Sequence, residues 1–94
     1  MRLKVERKHI DAAVLAYLAG EPGRYVCPIA QACRDVEPGK WAVSPYLRPS
    51  VVSPTRAQFG LSRPAIKQAR LFDLNRQFKP GTYVLTPITE EANK

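Results

Sequence analysis

The chain has 94 residues, 45% of them apolar, and a formal net charge of +7. That length holds one domain with a thin core, and the composition is too apolar for a disordered basic tail. No apolar run reaches the roughly 18–20 residues of a membrane span, and the charged residues 1–8 do not read as a signal peptide, so a cytoplasmic domain is expected.

Leu3 and Val5 alternate with Arg2, Lys4 and Glu6, the period of a half-buried strand. Residues 10–19 carry Ile10, Val14, Tyr17 and Leu18 at helical spacing, and Gly20 with Glu21-Pro22-Gly23 supplies the stop. A second helix begins at Pro28, which suits the first helical position and leaves Cys27 as the cap. Its apolar face is Ile29, Ala32, Cys33 and Val36, and Pro38-Gly39 ends it. Residues 40–44 and 46–52 read as extended, and Pro45, Pro49 and Pro54 confine them to short or edge strands. Residues 53–61 carry no pattern of their own. Ser62 and Pro64 open a third helix to about residue 77, with Ala65, Ile66, Ala69 and Phe72 on its core face. Lys79-Pro80-Gly81 turns into a last strand over 82–86. The expected fold is a small α+β domain over residues 1–87, in the order β-α-α-β-β-α-β, with a short, mostly antiparallel sheet packed by helices. Residues 88–94 are expected to fray. A core this thin leaves room for a homodimer interface or a bound partner.

The charge is local. Eight basic residues (Lys40, Arg48, Arg56, Arg63, Lys67, Arg70, Arg76 and Lys79) and one acid, Asp73, fall within residues 38–80. Arg63, Lys67 and Arg70 occur at i, i+4 and i+7 of the third helix, so three cations share one face. Their spacing suits phosphates along a nucleic-acid backbone, with Arg56, Arg76 and Lys79 widening the patch. The competing readings are a solvated helix face and a dock for an acidic host protein, with Leu71 or Leu74 as apolar anchor. Trp41, Tyr46 and Tyr83, on expected strands, are candidates for base stacking, against the alternative that they fill the core.

Catalytic and metal signatures are missing from the pattern. Cys27 at a helix start could be activated by the helix dipole, and His9 is the one histidine, but nothing in the sequence joins them. Cys27 and Cys33, if on one helix, lie about 9 Å apart along its axis, too far for a disulfide, and read as reduced thiols. With His9 they make no zinc spacing, and the glycines form no phosphate loop. No cofactor, metal or enzymatic activity is expected.

Cys27-Pro28-Ile29-Ala30, preceded by His9-Ile10 and followed by Phe72-Asp73 and by Lys79-Pro80-Gly81-Thr82-Tyr83-Val84-Leu85, resembles a group of small, mostly uncharacterised bacteriophage and prophage proteins. The segment 45–61 departs from the compact middle of that group. The resemblance implies a phage or mobile-element origin, a bacterial host cytoplasm and a small α+β domain. It transfers no site residue. It makes a partner such as a nucleoprotein complex, or inhibition of a host defence system of the CRISPR kind, an expectation by analogy.

Overall fold

The computed structural model describes residues 1–46 and 48–88. The elements are β1 (Arg2–Val5), α1 (Arg7–Leu18), α2 (Gly23–Val26), α3 (Pro28–Cys33), β2 (Ala42–Ser44), β3 (Ser50–Val52), β4 (Gln58–Leu61), α4 (Arg63–Asn75) and β5 (Gly81–Ile88). The α+β class and antiparallel sheet follow the expected pattern. Two elements are additional: the single turn α2, and β4, which lies in the stretch 53–61. Ile88 belongs to β5 rather than to a frayed tail, and residues 89–94 lie outside the described residues.

The five strands run in the order β1-β5-β4-β3-β2, each pair antiparallel. Alternation divides the sheet cleanly. Leu3, Val5, Val43, Val51, Tyr83 and Leu85 are buried against the helices. On the outer face Gly60 pairs with Ser50 on one side and Thr86 on the other, and Ser50 pairs with Ser44. Small, uncharged side chains thus cross four strands in a row. The prolines sit where they break no ladder. Pro45, Pro49 and Pro54 fall between strands. Pro87 lies within β5, two residues after Leu85, whose N–H and C=O both bond to Met1. Pro87 therefore faces the same side, where β1 has already ended, and its missing N–H has no strand to serve.

α3 is covered on nearly every side. Pro28, Ile29, Ala30, Ala32 and Cys33 are buried, and only Gln31 is partly exposed. Val36, expected on its face, lies beyond its end and is exposed. α1 starts at Arg7, three residues before the apolar periodicity, because the Glu6 backbone N–H donates to His9 Nδ1 at 2.9 Å. That bond leaves the proton of the neutral ring on Nε2, which donates to Asp35 Oδ2 at 2.7 Å. His9 thereby ties the first turn of α1 to the chain just after α3. The buried face of α1 is His9, Ile10 and Ala13, whereas Leu18 stays exposed and Tyr17 is covered from outside by Arg76.

The turns on either side of β2 and β3 interlock. Trp41 Nε1 donates to the Glu37 carbonyl at 2.8 Å, and its ring lies 6.0 Å from that of Phe59. Gly39, with φ +128°, lies against Pro54, and a Cβ at this position would come within 2.6 Å of Pro54 Cγ. Gly39→Ala therefore combines a backbone conformation that L side chains rarely adopt with a clash against a stiff ring. It should cost about 1–3 kcal/mol, read as a lowered Tm in thermal denaturation followed by circular dichroism.

Candidate nucleic-acid interface

α4 begins where the sequence places it. Ser62 Oγ accepts from the Ala65 N–H at 3.4 Å, and Pro64 occupies the first turn, where its missing N–H costs nothing. Ala65, Ala69 and Phe72 face the core, and Arg63, Lys67 and Arg70 are exposed. The three cations do not act as one row. Arg63 and Lys67 line an open groove of about 550 Å³ between α4 and the segment leading into β5. Arg70 leans the other way: its Nε donates to the Pro45 carbonyl at 2.9 Å, and its guanidinium carbon lies 5.5 Å from the centre of the Tyr46 ring.

Lys79 closes the groove from the opposite wall. Its position is fixed by four residues. Arg76 takes a left-handed conformation, φ 62°, which ends α4 and reverses the chain. Phe78 plugs into the core and meets Tyr83 edge-on, ring centres 5.4 Å apart. The Lys79 N–H then donates to Gln68 Oε1 at 2.9 Å, and the Tyr83 hydroxyl donates to the Lys79 carbonyl. Arg63, Lys67 and Lys79 thus converge on one concavity whose lining includes no acidic side chain.

The other candidate cations lie elsewhere. Arg76 is half-buried. Its guanidinium stacks on the Tyr17 ring at 3.7 Å, and Nη1 donates to the carbonyls of Phe72 and Asp73, so it caps α4 and clamps it to α1. Arg56 occupies the β3–β4 turn with φ 69°, at the end of β4 away from Ser62. A strand of this length, about 13 Å at 3.3 Å per residue, separates it from the start of α4.

The aromatic candidates divide likewise. Trp41 and Tyr83 are buried on the helix side of the sheet and unavailable for stacking. Among the described residues the outer face of the sheet carries no aromatic side chain, because Phe59 and Tyr83 alternate to the inner face. Tyr46 lies outside any strand and is half-exposed. The Asp73 carboxylate, first, holds its phenol above the usual pKa.

Burial overrides the helix start at Cys27. Its thiol is pushed up to about 12 by desolvation, which outweighs the lowering by the backbone N–H groups of Ile29 and Ala30. Cys33 is pushed up to about 12 by the same cause. The expected dipole activation of Cys27 is therefore reversed. His9 is committed to Glu6 and Asp35 and lies outside the groove. Among the described residues no three His, Cys, Asp or Glu side chains gather in a metal-binding arrangement, and no helix is long and apolar enough to cross a membrane. Comparison with protein-family models, with curated proteins and with solved structures gives no match.

Two solution outcomes test this geometry. Iodoacetamide at neutral pH should leave both thiols unlabelled in the folded protein, and label both once urea unfolds it. The His9 hydrogen bond, foremost, holds the Asp35 carboxyl below its ordinary value of 3.8. A lowered folded pKa gives a stabilisation that is full above the unfolded value and lost as pH falls through the lowered one. Asp35→Ala should thus lower Tm at neutral pH, and the gap to the parent chain should close in acid below the carboxylate range.

Proposed function

We propose that the chain binds nucleic acid through its phosphate backbone, in the groove between α4 and residues 79–83. The observation that carries this reading is the convergence of Arg63, Lys67 and Lys79 on one open concavity with no acid in its lining. Cations on two opposed walls can pair with phosphates on either side of a strand, which a single helix face cannot do. The walls are set in advance by the Ser62 cap and by the bonds that hold Lys79, so little ordering opposes binding. Arg70 extends the positive surface over the crest of α4. Affinity then comes mainly from counterion release, with weak dependence on sequence from the groove itself.

The setting that suits such a module is a non-enzymatic accessory protein of a phage or mobile element. There it would engage nucleic acid or a nucleoprotein complex in the bacterial cytoplasm. A second reading, an inhibitor docking on an acidic host protein, is favoured by Leu74. This side chain is 80% exposed on the basic helix and would serve as an apolar anchor beside the cations. Leu71 is half-buried and less available.

Binding to a labelled single-stranded oligonucleotide, followed by anisotropy across a salt series, tests the first reading. Three phosphate contacts at about −0.7 each give a slope of about −2 in log K against log salt, a loss of about 20-fold between roughly 50 and 200 mM. Lys67→Glu with Lys79→Glu should abolish binding without changing the circular dichroism spectrum. Unchanged affinity would remove the groove from consideration, and a host protein retained through nuclease treatment would move the assignment to the second reading.

A further inference from the structure

On the opposite flank of α4 lies a second depression, of about 520 Å³, within the range that accepts a small ligand or a single base. Its floor is apolar, formed by Cys27, Val43 and Ala69, and its rim carries Arg24, Tyr46 and Asp73. Asp73 is the unusual member. It is the one acid among eight cations in residues 38–80. Arg70 and Arg76 precede and follow it by three residues, yet among the described residues its carboxylate forms no ion pair; its neighbouring donor is the Tyr46 hydroxyl, and a carboxylate keeps lone pairs for further donors beside it. A carboxylate on a phosphate-binding surface works against phosphate, and its chemistry there is to accept hydrogen bonds from N–H donors.

We propose that this pocket takes one unstacked guanine of a single strand whose backbone lies on the cationic surface, a reading that rests on the nucleic-acid function proposed above. Guanine is the base whose Watson–Crick edge presents two adjacent donors, N1–H and the N2 amino group, matching the two oxygens of a carboxylate. Adenine and cytosine place a ring-nitrogen acceptor beside their amino group, and thymine flanks its single N–H with two carbonyls, so each sets an acceptor against Asp73. The Tyr46 ring and the Arg70 guanidinium stacked over it offer flat partners for the base, as unpaired bases commonly find in proteins. The apolar floor takes the rest of the ring, and Arg24 on the rim is placed for an adjoining phosphate or the guanine O6. Asp73 lies ten residues along α4 from Arg63, about 15 Å at 1.5 Å per residue, so one strand crossing the helix can reach both flanks.

The test uses the intact chain and thymine-rich 12-mers that differ at one central position, carrying guanine, hypoxanthine or thymine. Hypoxanthine keeps N1–H and O6 and lacks only the N2 amino group. The guanine strand should bind at least about fivefold more tightly than the hypoxanthine strand, the lower end of what a bidentate pair discriminates. In Asp73→Asn that ratio should fall close to one. Equal binding of all three strands with the expected salt dependence overturns the pocket and leaves the groove reading standing. A guanine preference that persists in Asp73→Asn also overturns the assignment to this carboxylate. Absence of binding by every strand at low salt overturns both.

Discussion

A six-residue helix with a single polar side chain, Gln31, sets the terms for the whole domain. Pro28, Ile29, Ala30, Ala32 and Cys33 leave α3 only Gln31 to show to water, so it must be enclosed on every other side. α1, β1, β2, α2 and α4 all touch it. Its small side chains are what permit this, since Ala30, Ala32 and Cys33 let neighbours approach closely enough to leave Ile29 and Cys33 fully buried. The Cys-Pro-Ile-Ala run is therefore a packing motif, and the high thiol pKa values at both cysteines follow from the same enclosure.

Enclosing α3 puts every helix on one side of the sheet and makes α4 the exposed wall of the molecule. That helix carries two duties without conflict, because its inward arc is Ala65, Ala69 and Phe72 and its outward arc is charged. The depressions on its flanks arise where neighbouring segments cannot lie flush with it. On one side the chain returns from Arg76 to Gly81; on the other, Pro45 and Tyr46 rise out of β2. Five of the eight cations of residues 38–80, Arg63, Lys67, Arg70, Arg76 and Lys79, thus lie on or beside α4, with two of the five diverted to other work. Arg76 ends the helix and grips Tyr17, and Arg70 secures the Pro45 segment.

Much of this could be read from the residues, and the exceptions have specific causes. Ser62, Pro64 and the apolar period fix α4 because capping and burial agree there. β4 escapes such a reading: Gln58-Phe59-Gly60-Leu61 is four residues long, includes a glycine and follows a proline turn, so its strand character comes from pairing on both sides rather than from propensity. α1 misleads in its face. Tyr17 and Leu18 fit the helical period, but the inward arc is set by the His9 link, and Arg76 reaches Tyr17 from 59 residues further along the chain. The opposition of Lys79 to Arg63 and Lys67 depends on a left-handed residue at Arg76, a non-glycine position with no local signal. That Asp73 forms no ion pair among the described residues likewise belongs to the folded surface, since its spacing from Arg70 and Arg76 would suggest one.

The outer face of the sheet has a practical consequence. Ser50 and Thr86 stand on it, away from the core and from both depressions. The only two native thiols are enclosed and poorly ionised. A single cysteine introduced at Ser50 or at Thr86 would be the lone reactive sulfur on an otherwise unaltered chain. A dye or spin label could then be attached there without first removing Cys27 or Cys33, and strand docking against α4 could be followed from the far side of the molecule.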